Sequence, residues 1–305
     1  MLVALCKVTF DAIRLTFMIF YETCHGIFRY LFAKKKCLSG EIILVTGGGK
    51  GIGRKLSLAL AAHRPKHIIL WGRDRDWLEL TSRDIQAKGV EASFYQCDVS
   101  LREQVYTQAA AVQREVGNVT LLVNNAGTVC GKAILELNPH ELQHCLKVNT
   151  LAQFWTIKAF LPPMIEQGSG HIVCINSVLG LMGLKGLGDY STTKFALTGL
   201  METVRRELSM YPGIMMTTVH PYQVQNDMFA GMTVRFPKLF PPLTEACVIR
   251  ETLSAIQYGK RQVVLPAYFH LVLFLRSVLP VACMVPCYKF LGLHRLMENF
   301  KGHNS

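Results

Sequence analysis

None of the ten cysteines forms a Cys-x-x-Cys pair, and the closest two, Cys283 and Cys287, have no histidine cluster beside them. That pattern excludes the common structural zinc sites. Cys97 and Cys174 fall in apolar runs and read as free buried thiols of a reducing compartment. Charge is scarce, at 18% of residues against 50% hydrophobic, which excludes disorder for most of the chain. Long uncharged runs are missing where they would be expected. Within residues 1–33 the longest is Leu15–Tyr21, well short of the roughly 18–20 residues a membrane span needs. No Ala-x-Ala pattern follows, so a cleaved leader is not expected. Internal repeats and Pro/Ser-rich linkers are absent too, and 305 residues then suit one large α/β domain.

The charge that is present sits at the two ends. The net charge is +12, with six Lys/Arg against two acids in residues 1–40 and six against one in 257–305. A nucleic-acid binder carries its charge on a folded face or stripe. Basic, apolar ends around a nearly neutral centre fit a membrane surface instead, as does a mean hydropathy of +0.25.

From Glu41 short β-branched runs alternate with helical patterns. The runs Ile42–Thr46, His67–Trp71, Ala92–Cys97, Leu121–Asn124, His171–Asn176, Met215–His220 and Gln262–Leu265 predict seven strands. Helices are expected at Ile52–His63, Arg102–Val116, Pro139–Glu166 and Tyr190–Met210. Apolar strands alternating with helices imply a doubly wound parallel sheet covered on both faces. The expected organisation is a membrane-associating segment at 1–40, a dinucleotide-binding domain at 41–265, and an apolar, basic tail at 266–305 with membrane contact.

In the first segment Lys7, Asp11, Arg14, Glu22, His25 and Arg29 are the polar positions. On a helix they fall in one stripe about 80° wide. Spanning would bury those charges at roughly 2.5–3.5 kcal/mol for each of several. A helix lying in the interface leaves the stripe in water, with Lys34–Lys36 facing anionic headgroups. Docking of the stripe on the main domain is the alternative.

The first strand runs into Thr46-Gly-Gly-Gly-Lys-Gly-Ile-Gly53, which opens a helix. Glycines let backbone approach a pyrophosphate, and a helix N-terminus supplies amides and a positive dipole. Gly47, Lys50, Gly51, Ile52 and Gly53 are therefore candidate cofactor contacts. An enzyme of this kind that uses NAD ends its second strand with an acid on the ribose 2′-hydroxyl. Here Gly72 holds that place and Arg73 follows, with Lys50 as a second cation. A missing acid beside two cations points to NADP(H), although either cation alone could be a solvated surface charge. Asp74 and Asp76 read as loop solvation.

Further along stand Asn124-Asn-Ala-Gly127, Ser177, and Tyr190 four residues before Lys194. That spacing puts phenol and ammonium on one helical face, and a nearby ammonium lowers a phenol pKa toward use as acid and base. Ser177 can donate to the carbonyl oxygen that Tyr190 protonates. Alone, Tyr-x-x-x-Lys is commonly a surface pair; in this order after the glycine turn it reads as a catalytic set.

From Glu41 to about Leu265 the sequence resembles the classical short-chain dehydrogenase/reductases, carried by Thr46–Gly53, Asp98, Asn124–Gly127, Asn149, Ser177, Tyr190 and Lys194. The resemblance implies a Rossmann fold, an adenine contact for Asp98, a strand and cofactor role for Asn124, and a proton-relay water at Asn149. It also exposes a departure. Where the family has Pro-Gly and then a Thr on the nicotinamide amide, this chain has Pro221-Tyr222 and, at the Thr position, Asn226. Asn226 is expected to hold the amide, and Tyr222 to narrow the substrate pocket.

Within the family the likeness is to the membrane-bound retinal reductases, carried by His171–Val178, Gln153–Thr156, Gly231–Pro242 and the ending at 299–302. It implies NADPH-dependent reduction of all-trans-retinal to retinol at the cytosolic face of the endoplasmic reticulum, and on lipid droplets. The residues themselves stop at a carbonyl reductase for an apolar substrate. Their support is Met228, Phe229, Met232, Phe236, Leu239 and Phe240 after the sixth strand, which line a pocket or simply pack. A hydroxysteroid or long-chain aldehyde oxidoreductase, and a non-catalytic membrane scaffold, stay open as alternatives. Expected partners are the apolar substrate, a membrane surface and a homo- or hetero-oligomer with another short-chain dehydrogenase. No metal and no nucleic acid are expected.

Overall fold

The computed structural model describes residues 2–32 and 34–301, without the side chains of residues 2–6, 25 and 27–32. The chain divides after Lys36 into two units. In the first, helix α1 (Leu2–Phe32) runs unbroken for 31 residues, as the stripe predicts. Lys7, Asp11, Arg14 and Glu22 are exposed, and so are Phe10, Phe17 and Phe20. The His25 and Arg29 side chains of the stripe lie outside the described residues, as do Met1 and the last residue of the 299–302 ending. Among the described residues no helix is long and apolar enough to cross a membrane.

The second unit is built on seven strands: β1 (Ile42–Thr46), β2 (His67–Gly72), β3 (Glu91–Gln96), β4 (Leu121–Asn124), β5 (Gly170–Ile175), β6 (Ile214–Pro221) and β7 (Gln262–Leu265). All pairs are parallel, in the order β3-β2-β1-β4-β5-β6-β7, and Leu44 faces Ile69 on one side and Leu122 on the other. Parallel strands buried on both faces need apolar side chains in both directions. Leu44, Ile69, Leu122 and Ile172 pack on one face, and Ile43, Val45, Leu70 and Val123 on the other.

Helices α2 (Gly51–Ala61), α3 (Arg75–Gln86), α4 (Arg102–Glu115), α5 (Pro139–Leu146), α6 (Ala152–Glu166), α7 (Gly188–Glu207) and α8 (Glu245–Tyr258) cover the sheet. The single helix expected over Pro139–Glu166 is instead interrupted by a π-helical turn at Lys147–Leu151, centred on Asn149. Such one-turn bulges collect at functional sites because the extra residue re-aims a side chain. The strand order reverses between β1 and β4, so the crevice lies at their C-terminal ends.

The described residues after Leu265 fall in the same compact unit as the sheet. Helices α9 (Phe269–Val278) and α10 (Val281–Phe290) leave an exposed outer face, with Leu271, Phe274, Val281 and Val285. Phe269 and Leu296 are buried against the sheet unit, so the tail divides between wall and surface.

Candidate active site

At the cofactor end the close approach is decided at Gly53, where a Cβ would run into the Gly47 carbonyl and the Asn125 amide. The turn is latched from β4. Asn125 N and Ala126 N donate to Thr46 Oγ1 at 3.0 and 3.1 Å, and Asn125 Nδ2 donates to Thr46 O at 3.0 Å. Helix α2 starts with no side-chain cap at Lys50, and a Cβ on Gly51 would touch only Glu245 Oε1, at 3.9 Å. Uncapped amides at a glycine turn fit a dinucleotide pyrophosphate. Ile52 follows Gly51 in the first turn of that helix.

Around the expected 2′-phosphate the structure corrects the sequence reading. Asp74 is no mere solvated acid: it caps α3 through Trp77 N at 3.3 Å and pairs with Lys50 Nζ at 2.8 Å. That bond holds the Asp74 carboxyl below its ordinary range. Lys50 also lies over the Trp77 ring, 5.3 Å from its centroid. Arg73 is exposed and has no ion-pair partner among the described residues. Asp98 Oδ1 accepts from Ser100 N at 2.9 Å, closing the turn after β3.

Asn124 is buried, with Oδ1 accepting from Thr156 Oγ1 at 2.9 Å and Nδ2 unpartnered. It ties β4 to α6. Asn149 is also buried; Oδ1 accepts from Thr128 N at 2.8 Å, and Nδ2 donates to Thr128 O at 2.9 Å and Thr193 Oγ1 at 3.0 Å. Its side chain is thereby committed to holding the loop after β4 against α7.

Strand β5 delivers Ser177, and α7 delivers Tyr190 and Lys194 to the same buried corner. Ser177 Oγ accepts from Leu179 N at 3.1 Å. Lys194 Nζ donates to Ile175 O at 3.0 Å and lies 5.3 Å from the Tyr190 ring centroid. The expected lowering of the Tyr190 pKa does not appear. Burial pushes the phenol up, and the hydrogen bond with Ser177 opposes it only in part. Burial likewise lowers Lys194, which weakens the ammonium meant to stabilise a phenolate. The phenol is held protonated.

Two supports went unread in the sequence. His220, on β6, is buried and places Nδ1 3.0 Å from the Ser177 carbonyl and Nε2 3.3 Å from Gln262 Nε2. Burial pushes it down to about 4, so the ring is neutral and Nδ1–H donates to the carbonyl. Asp189, buried one residue before Tyr190, accepts from Cys130 N at 2.9 Å. The one ionisable residue of β6 was the available signal for His220.

Beside Ser177 lies a cavity of about 120 Å³, lined almost wholly by apolar groups. Phe229, Met232 and Phe240 line it, as does Tyr222, which stacks near Phe269 at 4.9 Å. Phe229 meets the Tyr190 ring edge-on at 5.5 Å. Leu239 is exposed, Phe236 pairs with Phe290, and Met228 is half-buried outside the lining. Asn226 caps a short turn, Oδ1 accepting from Phe229 N at 3.3 Å, which leaves only its amide nitrogen for a nicotinamide. Part of the wall comes from Leu291, Leu293 and Leu296, which no sequence pattern marked.

Residues 41–234 match the family model described as short chain dehydrogenase. The chain belongs to the short-chain dehydrogenases. The enzyme is 44% identical over 270 residues to human "Short-chain dehydrogenase/reductase 3", covering 88% of this chain and 89% of that one. It is 38% identical over 279 residues to human "Epidermal retinol dehydrogenase 2", covering 90% and 89%. Among solved structures it superposes on a metagenomic short-chain oxidoreductase in complex with NADP (TM-score 0.64, 25% identity, 75% and 97% covered). A Burkholderia phymatum short-chain dehydrogenase/reductase in complex with NAD gives 0.70, 25%, 79% and 94%. The enzyme is thus an oxidoreductase on the seven-stranded fold that the sequence predicted.

Proposed function

We propose that the enzyme reduces an apolar carbonyl with NADPH, all-trans-retinal being the favoured substrate. The observation that carries this reading is the almost wholly apolar cavity opening at Ser177 beside a buried, protonated Tyr190. NADPH, when bound, supplies the hydride. Ser177 Oγ–H donates to the substrate oxygen and orients it. Tyr190 donates its proton to that oxygen as charge develops there, a role that suits a phenol kept neutral by burial. Lys194 and Asn149 hold the floor of the site, through Ile175 and Thr128.

Arg73 supports the choice of phosphorylated cofactor. Lys50 joins it on giving up Asp74, since an exposed ion pair is worth only about 0–1 kcal/mol. Gly47, Gly51, Ile52 and Gly53 would hold the pyrophosphate, Asp98 the adenine side, and the Asn226 amide the nicotinamide. The names of the relatives, retinol dehydrogenase among them, favour a retinoid over a steroid or a long aldehyde. For location we infer the cytosolic face of the endoplasmic reticulum and lipid droplets, with α1 lying in the interface. The exposed apolar face of α9 and α10, which carries Arg276 and Lys289 and no acid, supports a second membrane contact. An oligomer with itself or another short-chain dehydrogenase remains part of the proposal.

The test is a panel of retinal, steroid ketones and long aldehydes with NADPH and NADH on membranes that contain the protein. Retinal turnover with NADPH is expected to lead. A steroid ketone turned over faster than retinal, or no turnover at all, overturns the reading.

A further inference from the structure

Three loops surround Tyr190: one follows β4, one precedes α7, and one follows β6. A single C-terminal segment touches all three. Phe300 occupies the space where a Cβ on Gly131 would be, Met297 lies 3.2 Å from the Cβ position of Gly186, and the Asn299 carbonyl fills that of Gly231. The backbone is pinned along the same path. Thr233 N donates to Leu296 O at 3.2 Å, and Lys301 N donates to Ala230 O at 3.0 Å. Lys185 N donates to Tyr288 Oη at 3.0 Å, and an Arg235 guanidinium nitrogen donates to Phe290 O at 2.7 Å.

These partners belong to the loops of the site, not to the sheet. Met297 packs in the apolar cluster that includes Tyr190, Phe229 and Met232, while Leu296 is 2% exposed and faces the cavity. We propose that residues 288–301 are a specificity strap: they complete the substrate cavity and set the length of apolar carbonyl that it accepts. This rests on the reading of the cavity as the carbonyl site. A short aldehyde needs only Ser177 and Tyr190, whereas an elongated apolar chain must also pack along the strap. Loss of the strap then costs binding only for the long substrate, because apolar affinity scales with the area removed from water.

The experiment uses full-length protein with two variants. Phe300→Ala empties the slot at Gly131, and Leu296→Phe narrows the cavity from the strap side. Retinal and butanal are compared with NADPH, and retinal binding is read separately by quenching of protein fluorescence. For both variants the retinal KM and Kd are expected to rise about tenfold. Butanal kcat/KM in Phe300→Ala, whose side chain lies outside the cavity lining, and NADPH affinity in both variants should stay within about twofold. A parallel fall for both aldehydes, or unchanged retinal binding, overturns the strap. A wild type that binds no retinal overturns the reading of the site and the strap with it. Loss of NADPH binding in both variants also overturns it, since the segment is then a general fold support.

Discussion

At the β1 end of the cleft, eight consecutive residues, Thr46–Gly53, supply the turn, the helix start and the proposed anion site. At the far end, the cavity beside Ser177 takes its walls from residues after β5, after β6, after β7 and near the C-terminus. The first is local and written in glycine; the second exists only once residues more than a hundred positions apart have met. The local half tolerates little change in backbone. The assembled half can change side chains to suit a substrate, as the Pro-Tyr-Gln-Val-Gln-Asn departure after β6 illustrates.

The comparison can be broken most sharply at its junction. Tyr190→Phe removes the proton donor and keeps the ring packed on Phe229; turnover should fall at least about 10³-fold while NADPH binding stays intact. Retained activity in that variant, measured as NADPH oxidation, sinks the catalytic assignment. Next, Gly53→Ala should cripple the local half by forcing Gly47 and Asn125 apart. Overpacking of about 1–3 kcal/mol is expected, seen as a lower melting temperature and weakened binding of both NADPH and NADH.

Arg73→Ala is expected to weaken NADPH about 10–100-fold and NADH hardly at all, since it removes only a charge-assisted contact to the 2′-phosphate. Asp74→Ser keeps a cap for α3 but releases Lys50, so NADPH should bind a few-fold tighter. Equal losses for both cofactors in the Arg73 variant would show that the phosphate lies elsewhere. Isothermal titration distinguishes these cases.

A pH dependence arises in the assembled half through His220, which sits behind Ser177. Its folded value of about 4 lies below the ordinary 6.5, so the unfolded chain binds the extra proton between these limits. Stability from this group is therefore full above about pH 6.5 and is lost as pH falls toward 4, by up to about 3 kcal/mol. His220→Asn should flatten that slope in melting scans from pH 7 to 4. The smallest effect concerns topology. The sequon Asn118-Val-Thr120 is expected to stay without a glycan, and a glycosylation tag ahead of Met1 is expected to stay unmodified. Val119 is buried and Thr120 Oγ1 accepts from Ile42 N at 2.9 Å, so folding also closes that sequon. Efficient glycosylation of the tag means that α1 spans.

The amino-acid sequence alone determined the seven strands and a parallel sheet, because buried β-branched runs and glycine turns are signals confined to a few neighbours. It put Tyr190 and Lys194 on one helical face for the same reason: helix spacing is local geometry. Tertiary structure alone decided the sign of the Tyr190 shift, since burial is a property of what packs around a group. It also paired Lys50 with Asp74, set His220 behind Ser177, and brought Leu296 into the cavity. The residues after Leu265 carry no clean period and are interrupted by Pro280 and Pro286, so nothing local marks their destination. Their place follows from the apolar surface and glycine slots of three distant loops, which exist only in the folded chain.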